Sequence, residues 1–270
     1  KEMQERWSQS VVVDNRPGAS GNIGVENVAK SAADGYSIVL VAPPQVSTPY
    51  LQKLGYDIER DLVPLVQTAI IEYVLAASPG SGITSLDGLI ARAKAAPGKI
   101  NFASAGIGSG QHLQVELLKA AAGMDLVHVP YKGSAPAIAA LLAGEVQLFF
   151  DTSVGIIPLV QSGKVRPLLA TGAKPLDALP GVPAMSALYP ETAIEAWHGI
   201  MAPAGTPRAI ADKLIADLRA IVQSPNVAGK FRELGFQPTG TPGEAFGAII
   251  RRDLERWGKV IRDNNIKASG

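Results

Sequence analysis

No cysteine occurs in this chain, which removes disulfides, thiolate nucleophiles and zinc ribbons together. No apolar run approaches the ~18–20 residues that a helix needs to cross a bilayer, so direct membrane insertion is not expected. No segment reads as a secretory leader. Charged residues make up only 18% and the net charge is +1. A balance that small sets up no field to recruit polyanions, which argues against nucleic acid. The three histidines, His112, His128 and His198, lack metal-ligand spacing. Catalytic motifs are missing as well. Neither Ser20 nor Ser109 fits the Gly-x-Ser-x-Gly pattern, since Asn22 follows the first at the glycine position and Ile107 precedes the second. Lys99, Lys164 and Lys259 follow glycines but precede Ile or Val, so there is no phosphate loop, and Gly106, Gly108 and Gly110 have the wrong spacing for a dinucleotide turn. We expect no cofactor, no metal and no catalytic residue.

What the chain does have is a 47% hydrophobic content punctuated by 28 Gly and 20 Pro. At 270 residues it exceeds one average domain, and two lobes are expected. Residues 10–14 and 36–41 read as buried strands joined through the glycine-rich turn 16–24 and a helix over 25–32. The same grammar returns in residues 100–104, 126–131, 146–150 and 165–170 as strands, with helices at 111–122 and 135–143 stopped by Gly123 and Gly144. Three amphipathic helices are expected at 207–223, 226–234 and 243–264. This rhythm predicts an α/β fold in which each lobe is a mainly parallel sheet flanked by helices. The breaks at 74–80 and 197–205 read as lobe crossings. Lobe 1 would then be 1–79 plus 198–270, with 80–197 inserted as lobe 2, and the crossings would act as a hinge. The opening residues, Lys1 to Trp7, read as the back half of an amphipathic helix, so the chain is taken as part of a longer precursor.

Ligands of such sheets bind at the carboxyl ends of the strands. The loop 104–112 suits an anion there. Its glycines let the backbone come close to a ligand, and it opens into a helix whose free N–H groups favour negative charge. Ser104, Ser109 and Gln111 add side-chain hydrogen bonds. The plainer alternative is that Ser109 only caps the helix and the glycines make a turn. Asp151, with Thr152 after it, ends a strand and could receive an ammonium or hydroxyl group, or serve as a cap. His112 lines the cleft or packs. Lys132 is a solvated turn residue or adds positive potential. Trp197 and His198 read as hinge packing, and Arg16 as a turn stabiliser.

Taken in order, several short motifs resemble one family. They are Asn15-Arg16-Pro17-Gly18-Ala19 with Gly21 and Gly24, Asp34-Gly35-Tyr36, Ser104-Ala105-Gly106, and Gly108-Ser109 with His112-Leu113. They continue with Val129-Pro130-Tyr131-Lys132-Gly133, Phe150-Asp151, Leu179-Pro180-Gly181-Val182-Pro183 and Ala202-Pro203-Ala204-Gly205-Thr206-Pro207. The set resembles the solute receptors of tripartite tricarboxylate transporters, the TctC or Bug family. The resemblance implies a two-lobed, Venus-flytrap, type-2 periplasmic binding protein that captures a small carboxylate and delivers it to membrane transporter subunits. A monomer, not an enzyme, is implied. A ligand sensor, or an α/β enzyme using Asp151 and His112, are the alternatives. By the same resemblance, binding falls on Ser104, Ala105, Gly106, Gly108, Ser109, Gln111, His112, Asp151 and Thr152, with Pro43 and Ser47 of the 42–47 loop across from them. Two departures stand out. The family's earlier strand and its Pro-Gly-Gly loop are not in this sequence, and Pro43-Pro44 replaces residues with backbone donors.

Overall fold

The computed structural model describes residues 1–172, 175, 176, 178–192, 195–264, 266 and 267. Nine strands are described: β1 (Val39–Val41), β2 (Leu62–Ile71), β3 (Tyr73–Ala77), β4 (Asn101–Ser104), β5 (Val127–Pro130), β6 (Leu148–Thr152), β7 (Arg166–Ala170), β8 (Ala196–Pro203) and β9 (Phe236–Pro242). The chain divides into two units. The first comprises Lys1–Ile70 with Trp197–Arg262, and the second Ile71–Ala196 with Asp263–Gly270. The first crossing therefore falls at Ile70/Ile71 rather than near residue 79, because β3 belongs to the sheet of the second unit.

The first unit is built on a four-stranded sheet in the order β1-β8-β2-β9, with β1 antiparallel to β8. Helix Arg208–Gln223 buries Ala211, Leu214, Leu218 and Val222 along one stripe, and three of these, Ala211, Leu214 and Leu218, pack with Leu65, Val66 and Ile200. The short helix Glu2–Trp7 is docked by Asp217, which accepts bonds from Arg6 Nε (2.7 Å), Trp7 Nε1 (2.9 Å) and Lys213 Nζ (2.6 Å). Burial alone would raise the Asp217 carboxyl, but these three donors outweigh it and bring it down to about 2. Deeper in, Trp197 Nε1 donates to Asp253 Oδ2 at 2.7 Å, and both residues are fully buried. Phe246 meets Trp197 edge-on at 5.1 Å. Trp197, expected as hinge packing, is thus a core residue of the first unit.

The second unit carries a five-stranded sheet, β5-β4-β6-β3-β7. β4 runs parallel to β5 and β6, whereas β3 is antiparallel to both β6 and β7. The sheet is mixed: β3 alone runs against the other four strands, which share one direction. A continuous apolar run such as Val74–Ala77 reports that both faces are covered, and it is silent on direction. Helices Gly110–Ala122, Ser134–Ala143 and Ser153–Gln161 follow β4, β5 and β6. The core joins Val74, Ala76, Ala103, Leu141, Phe149 and Ile156.

One expected strand is absent. Residues 10–14 have no strand assignment, and Val12 and Val13 are 84% and 80% exposed. A β-branched run favours a pleated, half-buried surface only where a neighbouring strand supplies one, and no strand lies beside it here. The second expected strand shrinks to Val39–Val41, and the first helix starts earlier, at Asn22.

Asp253→Ala removes the partner of a buried indole N–H. It is expected to destabilise the protein by about 2–4 kcal/mol in urea unfolding followed by tryptophan fluorescence; a change under about 0.5 kcal/mol would mean that the bond contributes nothing net.

Candidate functional site

The strand register gathers polar residues at one end of the five-stranded sheet. Ser104 pairs across to Pro130, Asp151 to Val74, and Thr152 to Tyr73. Because β4, β5 and β6 are parallel, the starts of all three following helices lie at this same end. The loops are stitched together: Tyr131 N donates to Ser104 O (2.9 Å), Gly133 N to Ala105 O (3.3 Å), and Ser153 N to Glu72 O (2.8 Å).

Within the 104–112 loop, the predicted side chains turn inward. Ser104, Gly108, Ser109, Gln111 and His112 are buried, leaving Ala105, Gly106 and Ile107 partly open. Ser104 Oγ accepts from Gly106 N at 3.1 Å and lies 2.6 Å from His128 Nε2. Ser109 Oγ accepts from His112 N at 3.3 Å, so Ser109 caps helix Gly110–Ala122, as the plainer reading held. Gly108, at φ 74°, aims its N–H at His112 Nδ1 (3.2 Å). Gly110 admits Tyr73, since a Cβ there would meet the Tyr73 hydroxyl at 2.5 Å. What stays partly open to solvent is main chain at 105–107, next to the first turn of helix Gly110–Ala122.

Asp151 is only 2% exposed. Its Oδ1 accepts from Gln111 Nε2 (2.9 Å) and Ser134 Oγ (3.1 Å), and Gln111 Nε2 also reaches Ser134 Oγ (3.1 Å). One carboxylate thus ties together the beginnings of two helices and heads a third, whose N-cap is Thr152. Burial raises its pKa, and the bonds from Gln111, the Thr152 backbone and Ser134 oppose that only in part. Asp151 and His112 have separate partners, so they do not form the acid–base pair of the enzyme alternative. Beside Asp151 is a second buried acid, Glu72, which accepts from Thr171 Oγ1 at 2.9 Å. Its pKa is raised, first by burial and then by Glu195, against the Thr171 bond.

His112 and His128 stack at 3.9 Å with planes 9° apart, and Phe102 stacks on His128 at 4.9 Å. The bond from Gly108 fixes the His112 proton on Nε2, which faces Glu116 Oε1 at 3.9 Å. Burial pushes His112 down to about 3, helped by His128 and Lys119, and pushes His128 down to about 4. Both rings are neutral at pH 7 and act as packing groups, and His112 Nδ1 is also an acceptor. Sequence reading missed His128, Phe102, Ser134, Tyr73 and Glu72. Only Ser134 carried a local signal, as a hydroxyl opening a helix just beyond a strand.

The other candidates sit elsewhere. Pro43 and Ser47 are buried in the first unit, where Ser47 Oγ donates to Pro44 O at 3.3 Å. Lys132 is exposed, and Arg16 pairs with Asp14 at 2.7 Å. Among the described residues, no group of three or more His, Cys, Asp or Glu could hold a metal ion, and no helix is long and apolar enough to cross a membrane.

Two outcomes are expected. Ser109→Ala should lower unfolding stability by about 1 kcal/mol even without ligand, as the loss of a cap. For the histidines the sign is set by their lowered values: the unfolded chain takes up protons below about pH 6.5 while the folded one does not. Stability is therefore complete above pH 6.5 and is lost on acidification, by about 2 kcal/mol per ring at pH 5. Asp151 and Glu72 act in the opposite sense, so the check is differential. His128→Phe should reduce the slope of stability between pH 6.5 and 5 by about one proton; an unchanged slope would show that this ring is not buried neutral.

Known proteins share this fold. Residues 1–266 match the family described as the tripartite tricarboxylate transporter family receptor, TctC. BugT of Bordetella pertussis is 36% identical over 98% of this chain and 82% of its own length. The structure of R. palustris Rpa4515 with adipate superposes with a TM-score of 0.93 at 33% identity, covering 98% of this chain and 90% of that one. The periplasmic binding protein BugD superposes with a TM-score of 0.91 at 31% identity, again over 98% and 90%. The chain belongs to the TctC receptor family of tripartite tricarboxylate transporters.

Proposed function

We propose that this protein is a periplasmic receptor that captures a small carboxylate and hands it to the membrane subunits of a tripartite transporter without transforming it. The observation that carries the reading is the loop at 105–107. There the side chains of Ser104, Ser109 and His112 bond to the loop's own backbone, Gln111 bonds to Asp151 and Ser134, and partly open main chain meets a helix start. An acid group suits such a place, because backbone N–H groups and the helix dipole supply positive potential without a salt bridge. Family membership supports the transport role, and the adipate on Rpa4515 and the periplasmic location of BugD support the ligand class and compartment. Capture by closure of the two units about the crossings at 70/71 and 196/197 is part of the same proposal.

The test is a panel of succinate, adipate, glutamate and benzoate. A true ligand at one hundred times its Kd should stabilise the protein by about 2.7 kcal/mol in thermal or urea unfolding. Product analysis should find each compound unchanged, and small-angle scattering should show a smaller radius of gyration with the ligand bound. Stabilisation by no member of the panel, or conversion of any member, would sink the proposal.

A further inference from the structure

The buried carboxylate in the loop cluster poses a charge problem for an acid ligand. Asp151 lies where three helices begin, at Gly110, Ser134 and Ser153, so it already occupies the positive potential that a bound anion would use. The groups packed around it come from every neighbouring element, and none is a cation. Tyr73 faces it from β3, Gln111 from the first helix, Ser134 and Ile138 from the second, and Thr152 and Gly155 from the third. Glu72, next to Tyr73, is a second acid. The nearest lysine in sequence to Ser134, Lys132, is solvent-exposed, and no ion pair to Asp151 is formed among the described residues. Oδ1 is taken by Gln111 and Ser134. Oδ2 faces Gly155, where a Cβ would come within 2.6 Å, so the absence of a side chain leaves that oxygen room.

We propose that Asp151 couples ligand capture to proton uptake: when an anion without a compensating ammonium docks against 105–107, a proton from solvent bonds to Asp151 Oδ2, and affinity rises as pH falls. This rests on the carboxylate reading above and names the charge rule of that site. The level of the two groups follows from the register. Two residues beyond the Ala103–Phe149 pair of these parallel strands the chain reaches Ala105 on one and Asp151 on the other, which sets loop and carboxylate at the same end of the sheet. Two like charges roughly 9 Å apart at an effective dielectric of about 25 repel enough to change affinity about tenfold. Burial of Asp151 favours the neutral acid in the same direction. The histidines do not interfere between pH 8 and 5.5, because both are already neutral there.

Isothermal titration of succinate, adipate and benzoate between pH 8 and 5.5 tests this in wild type, Asp151→Asn and Glu72→Gln. Wild type should bind the tightest of these acids about tenfold more strongly at pH 5.5 than at pH 8. After allowance for the acid's own carboxyl titration, Asp151→Asn should bind it about tenfold more strongly than wild type at pH 8, with a flat profile, and Glu72→Gln should keep the wild-type slope. On that corrected scale, binding with a flat wild-type profile, a slope that survives Asp151→Asn, or a slope lost only in Glu72→Gln overturns the coupling while leaving the receptor intact. Binding of no acid at any pH overturns the carboxylate reading too. A ligand-free check is the carboxyl carbon shift of Asp151 by NMR: titration within or below the ordinary aspartate range overturns the coupling whatever binds.

Discussion

Polar side chains buried beneath a partly open stretch of backbone are the constraint on which the second unit depends. Ser104, Ser109, Gln111 and His112 each spend their hydrogen-bonding capacity on the loop that carries them or on its neighbours. A buried polar group left unpaired costs about 1–3 kcal/mol, so each bond closed here removes one way for the loop to relax. The result is a short main-chain surface at 105–107 held by its own underside. A receptor that grips through backbone amides needs such rigidity, because amides cannot reorient individually towards a ligand.

Electrostatics gives the same cluster its character. Its ionisable groups are shifted towards neutrality: the imidazoles downwards, and Asp151 and Glu72 upwards. Burial is the leading cause in every case, and no strong ion pair opposes it at Asp151. This contrasts with Asp217 in the first unit, where a lysine, an arginine and an indole hold the carboxylate charged. One aspartate is a clamp between helices, and the other is a hub among loops. The difference lies in whether cations reach it.

The first unit depends on a different kind of contact. Trp197 opens the return crossing and immediately enters the core, where its N–H finds Asp253 and its ring meets Phe246. Gly199 is needed beneath that ring pair, since a Cβ there would lie 2.1 Å from Phe246. The chain is thus anchored in the core directly after it leaves the second unit.

Local chemistry in the sequence determined the helices over 110–122, 134–143 and 208–223, the strand–loop–helix rhythm, and the place of the candidate site at a glycine loop after β4. These are readable because periodicity, caps and glycine stops act over only a few residues. The family, too, could be read from short motifs kept in order. Tertiary structure alone decided whether residues 10–14 pair as a strand, the direction of β3, and which end of the sheet collects Glu72, Tyr73 and Asp151. It also decided that His128 stacks on His112 and that Ser104, Ser109, Gln111, His112 and Asp151 are buried. Pairing, direction and facing are relations between segments distant in sequence, set by register and by competition for buried space. A residue's own neighbours carry no record of them.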